Sequence, residues 1–233
     1  MLNYLLVLLM LPLTAAEGVW LKFRATRLPG SPGERRGMVG QGNRLNLLAI
    51  GDSIIDGVGT DRMENALPVL FAAALSNRLG KQVHWQAEGQ SGLDIHGLLQ
   101  RIDSMDAAEA DVILISIGVN DVTGLTSLRR WRTSVLTLLE RLNSCWPGAQ
   151  ILFAGLPPMS QFPLPPQPLR YTLGWRAATL DAAAAAICSG RPGVHHIPTV
   201  IDPRVHTFSD DGYHPSSESC AAWARELAGF VTP

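Results

Sequence analysis

The stretch LLAIGDSIIDG, residues 47–57, changes character half-way along. Leu47 to Ile50 is an unbroken apolar run, short enough to be a strand covered on both faces. Gly51, Asp52 and Ser53 then open a turn, with further glycines at Gly57 and Gly59. A small hydroxyl placed where a buried strand gives way to a loop admits three readings. It is an ordinary turn serine, part of a phosphate cradle, or a nucleophile held above a sheet. The rest of the chain decides among them.

Outward from this point, strand-like and helix-like segments alternate. Residues 44–50 read as the first strand, 82–88 as the second, 111–118 as the third, 150–155 as the fourth and 194–199 as the fifth. The third, DVILISIG, has the β-branched composition of a fully covered strand. Between them, 65–80, 91–105, 126–145 and 169–189 read as helices, and 216–231 as a closing helix capped by Ser216 or Ser217. In the helix over 126–145, Leu128, Trp131, Val135, Leu138 and Leu142 fall on one stripe, while Arg129, Arg130 and Arg132 lie off it. Strands separated by helices imply a three-layer α/β/α fold around a parallel sheet. Five strands at this length suggest the flavodoxin-like order 2-1-3-4-5, with ligands at the carboxyl ends where strands 1 and 3 diverge.

Composition fits one sizeable domain. The chain has 233 residues, 46% of them hydrophobic, which is enough for a single core. With 19 basic and 20 acidic side chains, the net charge of −1 gives no footprint for nucleic acid. Cys145, Cys188 and Cys220 are odd in number and widely spaced, so neither a disulfide framework nor a metal site is expected. His84, His96, His195, His196 and His206 show no ligand spacing either.

The N-terminus stands apart. Residues 1–21 are apolar with no charge before Glu17, and the basic residues Lys22, Arg24, Arg27, Arg35 and Arg36 follow. A basic flank after an apolar segment stays in the cytoplasm by the positive-inside rule. The expectation is an uncleaved membrane anchor with the domain on the cytoplasmic side. The alternative is a signal segment cleaved on export. Residues 26–43 have the Gly, Pro and charge content of a linker, so 22–43 is read as linker and 44–233 as the globular domain.

Under the predicted order, Ser53 follows strand 1, EGQSG (88–92) follows strand 2 and GVND (118–121) follows strand 3. Three polar or glycine-rich loops therefore converge on the serine. Near the C-terminus, SDDGYHPSS (209–217) sets His214 three residues after Asp211. A serine hydroxyl needs a base, and the base needs an orienting partner. His214 can be the base and Asp211 the orienter. Asp210 lacks the spacing, and Asp52 and Asp121 read as organisers of their loops.

These blocks resemble those of the SGNH hydrolases, also called GDSL esterases or lipases. Gly51-Asp52-Ser53, Ser91-Gly92, Gly118-Val119-Asn120-Asp121 and Asp211-Gly212-Tyr213-His214 match its four motifs in order, over about residues 44–231. The second block departs from the family, with Ala87-Glu88 before Gly89 where Asn is common, so Gly89 is an alternative to Gly92. The resemblance implies a serine esterase with a catalytic set of Ser53, Asp211 and His214. It implies an oxyanion hole from the backbone N–H groups of Ser53 and Gly92 and the amide of Asn120. Short or medium acyl esters or a lysophospholipid-like ester would be the substrate, with no cofactor. An acyltransferase or thioesterase would use the same residues. The competing class is a non-catalytic phosphate- or nucleotide-binding module of flavodoxin-like fold. GDSIIDGVGTDR lacks both the Lys-Ser/Thr ending of a P-loop and the third glycine of a dinucleotide fingerprint. The proline-rich segment 156–171 reads either as a stiff surface loop or as a rim of the acyl pocket.

Overall fold

The computed structural model describes residues 10, 12–20, 28–107, 109–201 and 207–232. Strand β1 spans Arg36–Val39, β2 Arg44–Gly51, β3 Gln82–Gly89, β4 Val112–Ser116, β5 Gln150–Ala154 and β6 Val194–Ile197. They form one sheet in the order β1-β3-β2-β4-β5-β6. The five parallel strands β2 to β6 thus take the expected 2-1-3-4-5 order. β1 adds an antiparallel edge against β3, with Arg36 opposite Gln86 and Val39 opposite Val83.

Helices cover both faces. Helix α1 spans Leu67–Leu79, α2 Ile95–Arg101, α3 Val119–Thr123, α4 Leu128–Cys145, α5 Leu169–Cys188 and α6 Ser217–Ala228. Alternation along β2 shows how the layers form. Leu48 and Ile50 join the core shared with α2, α4 and α5. Leu45, Leu47 and Ala49 join the core shared with α1 and α6. The stripe on α4 meets the first of these cores, where Trp131, Val135, Leu138 and Leu142 are all fully buried. The Trp131 indole N–H donates to the Leu180 carbonyl at 2.8 Å, so α4 and α5 are tied as well as packed. Ser216 is the cap of the closing helix, accepting from the Ser219 N–H at 3.1 Å.

Two expectations need correction. The segment read as linker is part of the fold from Ser31 onward. Ser31 is 2% exposed, and its hydroxyl donates to the Gly57 carbonyl at 2.6 Å. Arg35 pairs with Asp56 at 2.9 Å, and β1 follows. Its Gly/Pro-rich composition hid this, because four residues of edge strand carry almost no alternation and Gly37 faces the Trp85 ring without a side chain of its own. The loop 118–121 is likewise more ordered than expected: Val119–Thr123 is a short helix, too brief to leave a periodic signature. Of the apolar N-terminal segment, residues 1–9, 11 and 21 lie outside the described residues. Residues 12–20 are helical, and the Glu17 carboxylate accepts from the Leu169 N–H at 2.9 Å. No helix among the described residues is long and apolar enough to cross a membrane.

Candidate active site

The site is built where β2 ends. Gly51 lies opposite Gly89 on one side and Ser116 on the other. A side chain at Gly51 would sit 1.9 Å from the Ser116 carbonyl oxygen, so only glycine lets the strands stay paired up to the bend. Gly89 supports the bend from the other side: a Cβ there would stand 2.2 Å from the Asp56 nitrogen. Ser53 is thereby raised on a tight turn at the carboxyl edge of the sheet. The buried Asp52 carboxylate accepts from the Ile54 N–H at 3.1 Å and holds the turn from inside. Burial pushes the Asp52 carboxyl up to about 7, against the Ile54 hydrogen bond and the nearby His214, which favour its charge.

His214 reaches Ser53 from a loop closed on itself. Phe208 bridges to Pro215, and the Ser209 N–H donates to the His214 carbonyl at 2.9 Å. Inside that loop, Asp211 Oδ1 accepts from the Ser209 hydroxyl at 2.8 Å, the Tyr213 N–H at 2.8 Å and the His214 N–H at 2.9 Å. Its Oδ2 lies 2.6 Å from His214 Nδ1. Burial alone would raise the Asp211 carboxyl, but the His214 ring and these donors hold it well below the usual carboxylate range. With Nδ1–H directed at Asp211, Nε2 is the acceptor that faces the Ser53 hydroxyl, 3.0 Å away. Ser53, His214 and Asp211 are therefore brought into one hydrogen-bonded line.

Two residues in this arrangement escaped the sequence reading. Ser209 fixes Asp211, and its place two residues earlier in a Ser-Asp-Asp run was the available signal. Gly59 lies against the histidine loop, where a Cβ would be 2.8 Å from that of His214. The glycine-rich turn after Ser53 is consequently filled from both sides. At Gly57 a Cβ would stand 2.9 Å from Ser31. The N–H groups of Ile54, Asp56, Gly57 and Val58, which a phosphate cradle would need, already donate within the turn.

Gly92 and Asn120 sit on the two neighbouring strand ends. Gly92 adopts φ +83° in the turn after β3, a conformation favouring glycine. Asn120 lies in the first turn of α3, and its amide nitrogen donates to the Leu93 carbonyl at 2.9 Å. A primary amide carries two N–H bonds, so one remains beyond this contact. The two loops are joined again by Asp121, whose Oδ2 accepts from the Ile95 N–H at 3.0 Å and Oδ1 from the Thr126 hydroxyl at 2.8 Å. Burial pushes the Asp121 carboxyl up to about 6 despite these bonds.

A cavity of about 520 Å³ opens beside Ser53 and His214. Its walls are mostly apolar and include Ile54, Ile117, Val119, Phe162, Phe208 and Tyr213; Gly92 and Asn120 do not line it. The proline-rich segment contributes Pro157 and Phe162 to these walls. Phe162 meets the Tyr213 ring edge-on at 5.2 Å and the Phe208 ring at 5.1 Å. Elsewhere His196 pairs with Asp181 at 2.8 Å. No cluster of three or more His, Cys, Asp or Glu side chains among the described residues could hold a metal.

A profile of the GDSL-like Lipase/Acylhydrolase family matches residues 49–222. Solved structures share the fold. A carbohydrate acetylesterase from Sinorhizobium meliloti, Est24, is 18% identical with a TM-score of 0.58, covering 79% of this chain and 97% of its own. The lipase Lip_vut3 from a goat rumen metagenome is 18% identical with a TM-score of 0.60, covering 80% and 98%. The psychrotrophic esterase EstA from Pseudoalteromonas sp. is 15% identical with a TM-score of 0.56, covering 78% and 93%. An uncharacterized protein of Mycoplasma pneumoniae is 28% identical over 124 residues, half of this chain, and the chain spans 14% of that protein's length.

Proposed function

We propose that this chain, which belongs to the GDSL-like lipase/acylhydrolase family, is a carboxylic ester hydrolase working through Ser53, His214 and Asp211. The observation that carries the reading is the line of hydrogen bonds from Asp211 through His214 to Ser53, at 2.6 and 3.0 Å. Ser53 Oγ attacks the ester carbonyl carbon as His214 Nε2 takes its proton. The carbonyl π electrons move to oxygen, and the resulting oxyanion is met by the N–H groups of Ser53 and Gly92 and the second amide hydrogen of Asn120. As the tetrahedral centre collapses, the C–O bond to the alcohol breaks and His214 returns the proton to that oxygen. Water then attacks the acyl carbon as His214 takes its proton; the bond from that carbon to Ser53 Oγ breaks, His214 returns the proton to Oγ, and the acid leaves. Asp211 stays ionised throughout, held so by its four donors, and stabilises the imidazolium.

The test is hydrolysis of p-nitrophenyl acetate, butyrate and palmitate by the protein and by Ser53→Ala. The expected result is turnover by the former, abolished in the variant, with short or medium chains preferred. Equal turnover by both would reject the serine mechanism. For placement in the cell, the proposal is a tether through the apolar N-terminal segment, with the domain on the cytoplasmic side. It is supported by the basic residues that follow that segment. A C-terminal reporter active only in the exported compartment would overturn it.

A further inference from the structure

The cavity does more than open beside Ser53: it runs toward the last helix. Ser219, Ala222, Trp223 and Glu226 all line it. They are spaced i, i+3, i+4, i+7, so one face of α6 forms a wall. Ile54 and Val119, which follow β2 and β4, and Ala154, at the end of β5, line it too. The space therefore lies between the carboxyl ends of the strands and α6, under the loop that carries His214. Its volume, about 520 Å³, is far beyond what an acetyl group fills. It falls in the range of roughly 300–1,000 Å³ that buries a drug-sized ligand.

Resting on the esterase reading above, we infer that this cavity holds the acyl chain and that Ala222 and Trp223 set its length, making medium-chain acyl esters of about eight carbons the preferred substrates. Two considerations place the acyl group there, not the alcohol. The acyl group stays on Ser53 through both half-reactions, so an apolar space can hold it throughout. The alcohol must leave from beside His214 before water can take its place, and an apolar cavity would retain it. Ala222 is the smallest side chain on the α6 wall, and Trp223 the largest. Enlarging the first shortens the available space; truncating the second extends it.

The experiment compares kcat/KM across p-nitrophenyl acetate, butyrate, octanoate, dodecanoate and palmitate. A parallel series of acetate esters varies the alcohol from ethyl to octyl. For the unaltered protein, kcat/KM should rise by up to about fourfold per acyl methylene as far as octanoate, and fall at palmitate. The alcohol series should stay nearly flat. Ala222→Phe should lower the octanoate-to-acetate ratio at least about tenfold and move the optimum to butyrate. Trp223→Ala should move the optimum toward dodecanoate. The two variants act in opposite directions, so one remains informative should the other fail to fold, as judged by circular dichroism. Preference for acetate over octanoate would overturn the inference. So would a chain-length profile unchanged in the folded variants, or a rise in the alcohol series in place of the acyl series. Turnover that survives Ser53→Ala would instead defeat the esterase mechanism itself, which keeps the two failures apart.

Discussion

The Nε2 of His214 stands 3.0 Å from the Oγ of Ser53, although 161 residues separate them in the chain. Nothing local joins the two. Ser53 is placed by the central strand β2, and His214 by a closed loop that rests on Gly59. The contact is therefore a product of the whole α/β framework, and each element behind it has a measurable consequence.

Asp211 is the most heavily bonded member of the line, with Ser209, Tyr213 and His214 all directed at its carboxylate. An amide at this position could present an N–H to Nδ1 and reverse the tautomer of His214. Asp211→Asn should therefore lower kcat by about ten-thousandfold with KM little changed, as read from steady-state hydrolysis of a p-nitrophenyl ester. A loss below tenfold would show that the His214 tautomer is fixed by something other than Asp211.

Asn120 is pinned by the bond to Leu93, and the oxyanion role proposed for it draws on its second amide hydrogen. Asn120→Ala should lower kcat by about a hundredfold to a thousandfold and leave KM within a few-fold. In the proposed mechanism the side chain acts on the transition state and not on the bound substrate. A change confined to KM would place Asn120 in ground-state binding instead.

Gly59 has φ +96°, and a Cβ there would crowd both His214 and the Pro215 carbonyl. Gly59→Ala should lower stability by about 1–3 kcal/mol in urea unfolding. It should also reduce kcat, because the histidine loop must shift. Undiminished activity at reduced stability would show that the loop finds its position without this contact.

Asp52 and Asp121 predict a pH dependence of stability. Burial raises the Asp52 carboxyl from 3.8 to about 7 and Asp121 from 3.8 to about 6. Between the ordinary and raised values the folded protein retains protons that the unfolded chain has lost. The associated stability is complete below about 3.8 and disappears as pH rises through about 6 and 7. Asp211 has the opposite sign. Its carboxyl is held low in the fold, so its contribution is present above the unfolded value and is lost only as pH falls through the depressed one. The melting temperature should therefore fall between roughly pH 5 and roughly pH 8. Asp52→Asn should flatten that fall. An unchanged slope in the variant would assign the dependence to other groups.

The parallel core of the fold was legible because it rests on continuous apolar runs such as VILIS in β4 and on the stripe of α4. β1 and the short α3 were not, since four- and five-residue elements carry too few side chains for a period to register. That Ser53, Asp211 and His214 would meet was legible in the residue types at strand and loop ends. Gly59 and Ser31 were not legible, and Ser209 offered only its place in the Ser-Asp-Asp run. Their roles depend on contacts made across the chain, to the histidine loop and to the turn after Ser53. The cavity was equally hidden, because its α6 wall comes from a helix whose sequence reads as an ordinary amphipathic surface.

Labelling by a fluorophosphonate, followed by peptide mass analysis, tests most directly whether Ser53 is a nucleophile activated by His214. One phosphonyl group per chain is expected, carried on Ser53. No labelling is expected in Ser53→Ala and slow labelling in His214→Ala, where the hydroxyl keeps its neighbours but loses its base. Modification at another residue, or equal labelling rates with and without His214, would overturn the mechanism.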